Sequence, residues 1–245
     1  MICGLMLGKE RSEGFPGKNI YPVLGRPMMA YPIMAALNGD LVDRVYVSTD
    51  SEIIRGIARE YGAYTIDRPP KLCTSEALSE DAFIHGYNHI KKDCSAHRIE
   101  LLVLLMANAV TVTAEAIAEG IRALQKDDTL DSAVTVSCYN MWSPLRARRI
   151  DSDGLLHPFV PFEAIGDPDT LNSDRRSQGD AWFADMGASI IRPSNLENIS
   201  NGLLPQKWMG RRIYPLRQWG GVDVDYEWQV PHIENWLSDH GITRT

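Results

Sequence analysis

Short apolar runs alternate with amphipathic stretches over the first 139 residues of the chain. An apolar run bounded by turn-forming or polar residues predicts a buried strand, and apolar residues that recur every three or four positions predict a helix. The predicted strands are 2–7, 44–49, 63–66, 100–106 and 132–138, and the predicted helices are 28–39, 50–61, 79–92 and 113–124. This alternation favours an α/β fold, in which helices cover both faces of a mostly parallel sheet and ligands bind at the carboxyl ends of the strands.

Local residue types refine the ends of these helices. Pro27 stands at a first-turn position of the first helix, and Pro32 inside the same helix is expected to kink it. Ser79 and Thr113 are expected to cap the helices that begin there, because their hydroxyl oxygens can accept hydrogen bonds from free backbone N–H groups. Pro231 is expected to interrupt the last helix of the chain.

The alternation stops after Tyr139. Residues 140–185 show little periodicity and combine several prolines with Arg, Asp and Ser, and such a stretch is too long for a plain loop in a compact domain. We predict a single domain over 1–245, in which 140–185 is an inserted extension that serves as a lid, an oligomerisation arm or both. Regular structure is expected again at 186–191, 212–216 and 226–239.

Composition and charge narrow the class of protein. With 44% apolar and 23% charged residues among 245, the chain is typical of globular proteins, and its net charge of −7 argues against non-specific binding to nucleic acid. The four cysteines lack the C-x-x-C spacing of a structural zinc site and are expected to be reduced thiols. The N-terminal stretch MICGLML lacks the basic residues of a signal peptide, and the apolar runs are too short to span a membrane, so we place the protein in the cytoplasm.

The stretch GKERSEGFPGKN at 8–19 follows the first predicted strand, where α/β proteins often bind phosphates. It departs from a P-loop, since Ser12 stands in place of the first glycine and Asn19 in place of the final hydroxyl residue. Its glycines nevertheless let backbone N–H groups approach an anion, and Lys9 and Lys18 supply positive charge. The stretch therefore predicts a phosphate-binding turn, and the alternative is a solvated surface loop.

Two aspartates near the end of the chain are candidate metal ligands. The stretch GGVDVD at 220–225 carries Asp223 and Asp225 at a strand end, and in a strand both side chains would point to the same side. Hard divalent cations prefer carboxylate oxygens, and nucleotide phosphates can complete their shell, so the pair predicts a Mg²⁺ or Mn²⁺ site. His85 and His89 have a helical i, i+4 spacing but lack the glutamate of a zinc-binding H-E-x-x-H motif, and we interpret them as structural or surface residues.

Four stretches together resemble the CMP-sugar synthetases, the cytidylyltransferases that activate sialic acids and related 2-keto-3-deoxy acids. GKERSEGFPGKN is similar to the A-R-x-G-S-K-G-x-x-x-K-N motif that follows the first strand in that family. YVSTDSEIIRGIAREYGA, RPPKLCTSEALSEDA and GVDVDYEWQ resemble later motifs of the family, in the same order and at compatible spacing. The resemblance implies a Rossmann-like fold and a reaction in which CTP and an acid sugar give a CMP-sugar and pyrophosphate.

The resemblance also assigns roles to individual residues. It implies that CTP is held by Lys9, Ser12, Gly14, Lys18, Asn19, Arg68 and Asn108. Asp223 and Asp225 would hold the metal, and these two residues with Lys9 and Lys18 would act in catalysis. Contacts with the anionic acceptor are implied for Met106, Arg146, Arg176 and Gln178. The extension is implied to swap between the subunits of a homodimer.

Two departures from the family pattern concern the acceptor. The family stretch L-L-Q-P-T-S-P-L-R is LLMANAVTV at 104–112 here, so that Met106 replaces a glutamine and Val112 an arginine. Because that glutamine lines the acid-sugar pocket in the family, we expect a nonulosonic acid other than ordinary sialic acid, or a phosphonate or other polar anion. The alternatives are a glycosyltransferase of related fold, which would use D-V-D as its metal motif, and a binding module without activity.

Overall fold

The computed structural model of the chain describes residues 1–10 and 14–244. Its strands are β1 (Ile2–Leu7), β2 (Pro22–Val23), β3 (Arg26–Pro27), β4 (Arg44–Thr49), β5 (Tyr64–Asp67), β6 (Leu101–Met106), β7 (Ser132–Cys138), β8 (Arg148–Ile150), β9 (Leu156–Pro158), β10 (Trp182–Ile191) and β11 (Ile213–Gln218). Its α-helices are α1 (Ala30–Leu37), α2 (Glu52–Glu60), α3 (Ser79–Asp93), α4 (Ala114–Lys126), α5 (Arg175–Gln178), α6 (Pro193–Glu197) and α7 (Val230–Asp239).

Within these described residues, seven strands form a central sheet in the order β11-β7-β10-β6-β1-β4-β5. The strands of this sheet run parallel to one another except β10, which is antiparallel to both β6 and β7. In the middle of the sheet, β1 pairs with β6 along its whole length. The predicted α/β class with a mostly parallel sheet is therefore confirmed.

Alternate residues of the central strands face opposite layers of helices. On one face, Met6 of β1 and Leu105 of β6 belong to a core cluster with residues of α1, α2 and α4. On the other face, Leu5 and Leu104 belong to a cluster with residues of α3 and α6. Because both faces are covered, these strands are almost continuously apolar, with the sequences ICGLML and LLVLLM. The prediction of helices on both faces is thus confirmed.

The first helix begins later than its pattern predicts. Arg26 and Pro27 form β3, which pairs with β2, and α1 begins at Ala30. The prediction that Pro27 lies in the first helical turn is therefore wrong. Pro32 is the third residue of α1, where a backbone N–H has no intrahelical acceptor, so the expected kink has no cause at this position.

Two of the three remaining predictions about helix ends need correction. Thr113 caps α4 as predicted, since its hydroxyl oxygen accepts a hydrogen bond from the Ala116 N–H at 3.1 Å. Ser79 does not cap α3, because it is the first helical residue and the extended Leu78 occupies the capping position. Pro231 lies in the first turn of α7, where its fixed φ suits a helix start, so it does not interrupt that helix.

Residues 140–181 run outside the central sheet, between β7 and β10. In this stretch β8 and β9 form a hairpin, which is followed by short helical turns and α5. Large apolar side chains are exposed here, among them Ile150 at 73% and Leu156 at 68% of their full surface. The assignment of 140–185 as a lid or oligomerisation extension stays a prediction, and its last four residues belong to β10.

Two findings bear on the environment of the chain. Cys3, Cys73, Cys94 and Cys138 all carry free thiols, as predicted. In the part of the chain that the structure describes, none of the helices combines the length and the apolar character needed to cross a membrane.

Candidate active site

A cleft of about 160 Å³ opens at the carboxyl ends of β1 and β6. Its walls come from the turn after β1, from the residues that follow β5 and β6, and from the start of α3. The predicted site residues that line it are Lys9, Lys18, Asn19, Arg68, Met106 and Asn108. The carboxyl edge of a parallel sheet is where α/β proteins bind ligands, so the fold and the sequence motifs indicate the same place.

The turn after β1 presents two lysines to this cleft. Lys9 lies at one end of the turn, and Lys18 begins a short 3₁₀ helix at the other end, directly after Gly17, whose φ of 75° is left-handed. The buried Asn19 side chain donates a hydrogen bond from Nδ2 to the Lys9 carbonyl oxygen at 2.8 Å, which holds the two ends of the turn together. Ser12, predicted to bind the nucleotide, lies outside the described residues.

Lys18 joins this turn to residues 221–225 near the end of the chain. These residues carry Asp223 and Asp225 and are called the aspartate segment below. The Lys18 Nζ lies 2.7 Å from Asp225 Oδ1, with the lysine side chain 13% and the aspartate side chain 57% exposed. Gly14 lies against the same aspartate, since a Cβ atom at Gly14 would come within 2.8 Å of the Asp225 carbonyl oxygen. Two stretches 207 positions apart in the sequence therefore meet beside the cleft.

Residues 221–225 lie outside the regular strands, after the end of β11, so the two aspartates are not strand residues. Between them, Val224 is fully buried, whereas Asp225 is exposed. The Val224 N–H donates to the Asn108 carbonyl oxygen, and the Asn108 side-chain amide donates to the Val224 carbonyl oxygen, each at 2.9 Å. These two hydrogen bonds fasten the aspartate segment to the residues that follow β6.

The surroundings of Asp223 favour a bound cation. Burial, and after it the negative charge of Asp225, raises the pKa of the Asp223 carboxyl above its ordinary value, while the Lys18 ammonium group opposes this shift. Carboxylate oxygens are the ligands that Mg²⁺ and Mn²⁺ prefer, so this pair of carboxylates fits such an ion. Among residues 1–10 and 14–244, no three His, Cys, Asp or Glu side chains are grouped to hold a metal, so phosphate or water oxygens would complete the shell.

Arg68 adds a buried positive charge to the cleft. Its Nε donates to the Ser48 hydroxyl at 3.1 Å, and its guanidinium group also donates to the Ser48 carbonyl oxygen. Burial lowers the pKa of Arg68, because the charged form loses hydration. Among the ion pairs of the described residues, Arg68 has no carboxylate partner. Its charge is therefore well placed for an anionic ligand.

The rest of the cleft wall is largely apolar. Met106 lies there at the end of β6, together with Leu72, Leu78 and Ala82. An apolar wall beside charged groups suits a ligand that has both ionised and uncharged parts.

The other predicted acceptor residues lie elsewhere. Arg146 and Gln178 line a separate cavity of about 430 Å³ in the 140–181 stretch, where Arg146 Nε donates to Gln178 Oε1 at 3.0 Å. The Arg176 side chain is 94% exposed, and its Nε lies 3.7 Å from Asp174 Oδ1. Within one chain, Arg146 and Gln178 are thus close to each other but do not line the cleft that holds Met106.

A buried polar network beside the aspartate segment is not predicted by the sequence motifs. Asp185 of β10 is 4% exposed, and its Oδ2 accepts hydrogen bonds from the Ser137 hydroxyl at 2.7 Å and from Gln218 Nε2 at 2.9 Å. The Gly221 N–H donates to the same Ser137 hydroxyl oxygen at 2.9 Å. An aspartate inside the largely apolar stretch FADMGASII is a signal for such a network, but its partners lie 48 and 33 positions away.

Comparison with known proteins finds a family model and relatives that match this chain. Residues 8–181 match the protein-family model described as cytidylyltransferase. The N-acylneuraminate cytidylyltransferase of Escherichia coli O18:K1:H7 is 36% identical over 85 residues, which are 35% of this chain and 20% of that protein. The N-acylneuraminate cytidylyltransferase A of Danio rerio is 24% identical over 236 residues, which are 94% of this chain and 49% of that protein. The chain thus spans half or less of the length of these two relatives.

One solved structure has the same fold over nearly the whole chain. It is a CMP:2-keto-3-deoxy-manno-octonic acid synthetase complexed with CTP, and it superposes with a TM-score of 0.67 at 12% sequence identity. The superposition covers 98% of this chain and 99% of that one. At this level of identity the likeness establishes the fold alone.

Proposed function

The chain belongs to the cytidylyltransferase family, and from this premise we propose that it transfers CMP from CTP to an acidic sugar, a nonulosonic or other 2-keto-3-deoxy acid, with release of pyrophosphate. The observation that carries the proposal is the convergence of Lys9, Lys18 and Arg68 on one cleft, with Asp225 of the aspartate segment paired to Lys18. Positive side chains around a small cleft suit a polyphosphate, and neighbouring carboxylates suit the cation that accompanies it.

In the proposed reaction, an oxygen atom of the acceptor attacks the α-phosphorus of CTP. A bond forms between that oxygen and the α-phosphorus, and the acceptor hydroxyl gives up its proton to water. The bond from the α-phosphorus to the bridging oxygen breaks, so that pyrophosphate leaves with the electron pair. Lys9, Lys18 and Arg68 would bind phosphate oxygens and balance the charge of the leaving group. Because no covalent intermediate with the protein is needed, the protein acts by positioning and by electrostatics.

Asp223 and Asp225 would hold Mg²⁺ or Mn²⁺ in this reaction. When bound, such an ion neutralises charge on the phosphate oxygens. The support for this assignment is the position of Asp225 beside Lys18, which itself lines the cleft, and the pKa of Asp223, which burial and Asp225 raise.

Met106 is the residue on which the choice of acceptor rests. Its side chain lines the cleft with Leu72 and Leu78 and offers no strong hydrogen bond to a polyhydroxylated ligand. We therefore propose that the acceptor is an acid sugar other than an N-acylneuraminate, the substrate that the names of the relatives print. The less polar side of this sugar would lie against the apolar wall of the cleft. A phosphonate or another small anion is the second candidate, because Lys9, Lys18 and Arg68 would bind its charge as well.

We further propose that the enzyme is a cytoplasmic homodimer. Arg146 and Gln178 do not line the cleft of their own chain, and large apolar side chains are exposed in the same 140–181 stretch. A second copy of the chain, packed against this stretch, would bury those side chains and could place the two polar residues at the acceptor. The free thiols fit a reducing compartment.

Pyrophosphate release tests the proposed reaction. Purified protein is incubated with CTP, Mg²⁺ and one acceptor at a time: sialic, legionaminic, pseudaminic and octulosonic acids, and aminoalkyl phosphonates. Release with an acid sugar other than sialic acid is the expected result. Release with a phosphonate alone would select the second candidate.

The melting temperature separates the remaining outcomes. A ligand that binds the folded state adds RT ln(1 + [L]/Kd) to the free energy of unfolding, which is about 2.7 kcal/mol when the ligand exceeds its Kd a hundredfold. Stabilisation by CTP without pyrophosphate release would place the acceptor outside the panel. Stabilisation by UDP-sugars instead of CTP would contradict the proposal and favour a glycosyltransferase, and stabilisation by neither would favour a binding module.

A further inference from the structure

We infer that Asp185 is a positioning residue for the divalent-cation site: it fixes the backbone of residues 220–225 and adds negative potential behind Asp223. The inference rests on the proposed function, in which a cation accompanies the nucleotide. Asp185 belongs to none of the stretches that carry the family resemblance, and the proposed reaction gives it no contact with a substrate.

The two carboxylate oxygens of Asp185 both accept hydrogen bonds. Ser137 and Gln218 donate to Oδ2 at 2.7 and 2.9 Å, and the Gly187 N–H donates to Oδ1 at 3.2 Å. The orientation of the Gln218 amide is set by its second hydrogen bond, since the same Nε2 donates at 2.8 Å to the Thr111 carbonyl oxygen, which can act only as an acceptor. Three donors therefore hold the carboxyl group of Asp185 in place.

This carboxylate is buried without a positive partner in the described part of the chain. It is 4% exposed and takes part in none of the ion pairs there. A buried ionised carboxylate is costly unless positive charge lies near it. Hydrogen bonds from neutral donors offset part of that cost. A divalent cation held by Asp223 and Asp225 would offset more of this cost.

Asp185 reaches the aspartate segment through Gly221. A Cβ atom at Gly221 would lie 2.2 Å from Asp185 Oδ2, so that only a glycine can approach this closely. The Gly221 N–H donates to the Ser137 hydroxyl, which in turn donates to Asp185, and the Gly221 carbonyl oxygen accepts a hydrogen bond from the Tyr139 hydroxyl at 3.0 Å. Both polar groups of the Gly221 backbone are thus fixed just ahead of Asp223.

The carboxyl group of Asp185 also lies close to the aspartate segment. Its Oδ2 would be 2.2 Å from a Cβ atom at Gly221, which is two residues before Asp223. Negative charge at this position attracts a cation that the two aspartates would hold. Residues that support metal ligands from behind in this way typically change metal affinity 10- to 100-fold when they are replaced.

The substitution Asp185→Asn keeps the shape of the side chain and removes its charge. Mn²⁺ is titrated into the full-length protein in the presence of CTP, and free Mn²⁺ is followed by electron paramagnetic resonance. We expect D185N to bind Mn²⁺ about 10- to 100-fold more weakly than the wild type. It should also need more Mg²⁺ for half-maximal turnover, with kcat recovering at saturating Mg²⁺.

Asp131→Asn is the matched control. The Asp131 carboxylate also accepts backbone N–H groups, those of Arg211 and Arg212 at 2.7 and 2.9 Å, but it directly precedes β7, at the opposite end of that strand from Ser137. D131N should therefore keep the wild-type affinity for Mn²⁺. If D185N does not fold, Ser137→Ala replaces it, since it removes the hydroxyl between Asp185 and Gly221, and it too should weaken Mn²⁺ binding.

Two results would overturn this inference alone. They are equal Mn²⁺ affinities of the wild type and the folded variants, and a lower melting temperature with unchanged Mn²⁺ affinity, which would show a purely structural role for Asp185. A wild-type protein that binds CTP but not Mn²⁺ would overturn the inference together with the proposed cation site. A wild-type protein that binds neither would overturn the proposed function as well.

Discussion

Lys18 is the residue at which the turn after β1 meets the aspartate segment, and in the proposed reaction its ammonium group also binds a phosphate oxygen. Lys18→Ala is expected to lower kcat/KM at least about 10²-fold, the usual effect of removing one transition-state contact. The free energy of unfolding should change by about 1 kcal/mol or less, because an ion pair with an exposed partner stabilises little. Steady-state kinetics and urea denaturation measure the two effects.

Lys91→Ala is the matched control for this variant. Lys91 also approaches a carboxylate, that of Glu197 at 3.7 Å, but it lines a different cavity. The kcat/KM of the Lys91→Ala variant should equal the wild-type value. Turnover close to normal in purified K18A would contradict the role of Lys18.

The sequence predicts those residues of the cleft that belong to short contiguous motifs. Lys9, Lys18 and Asn19 lie within one stretch after β1, and the structure brings all three to the cleft. Asp185 could not be found in this way, because its role depends on the pairing of β10 with β7, which brings it to Ser137 48 positions away. Motifs contain residues that are close in sequence, whereas a buried network is assembled by the register of the strands.

The contact between α4 and the sheet depends on the glycine at position 120. A Cβ atom at Gly120 would lie 2.8 Å from Ile190 Cδ1 of β10 and 2.9 Å from Leu216 Cδ1 of β11, the two strands that flank β7 in the sheet. Overpacking of this kind costs about 1–3 kcal/mol, and the better helix propensity of alanine offsets up to about 1 kcal/mol. Gly120→Ala is therefore expected to lower the free energy of unfolding by about 1–2 kcal/mol, as measured by urea denaturation.

Gly56→Ala provides the opposite case for the same measurement. Gly56 lies in α2, and nothing lies within 4 Å of a Cβ atom built there. Helix propensity then acts alone, and the free energy of unfolding should rise by about 0.5–1 kcal/mol. An unchanged or higher free energy of unfolding in Gly120→Ala would contradict the close packing of α4 against the sheet. A lower value in Gly56→Ala would contradict the open space beside Gly56 in α2.

The elements themselves are largely predictable, but their directions and ends are not. An apolar run indicates that a strand is buried, and the runs of β1, β4, β6 and β7 are found within a residue of their predicted bounds. The same pattern does not indicate strand direction. The antiparallel position of β10 between β6 and β7 is set by long-range pairing, in which Ile190 lies opposite both Val103 and Ala133.

At the scale of the whole molecule, the residues proposed for the nucleotide and some of those proposed for the acceptor lie apart in one chain. Lys9 and Lys18 line the cleft at the sheet edge, whereas Arg146 and Gln178 line a cavity in the 140–181 stretch. Motif resemblance assigns these residues to one site, but nothing in the sequence of a single chain states which copy of the chain supplies each of them. The proposed homodimer answers that question and can be tested directly.

Ile150→Asp combined with Leu156→Asp is expected to convert the dimer into a monomer, because charge on two exposed apolar side chains of the β8–β9 hairpin would have to be buried at the interface. Light scattering after size exclusion measures the mass. Turnover should fall as the dimer is lost, because each cleft would lose the acceptor contacts of its partner. The affinity for CTP should remain unchanged. Leu204→Asp, at a side chain 79% exposed but outside this stretch, should leave both mass and turnover unchanged. A fully active wild-type monomer would contradict the proposal, because Arg146 and Gln178 would then have no route to an acceptor in the cleft.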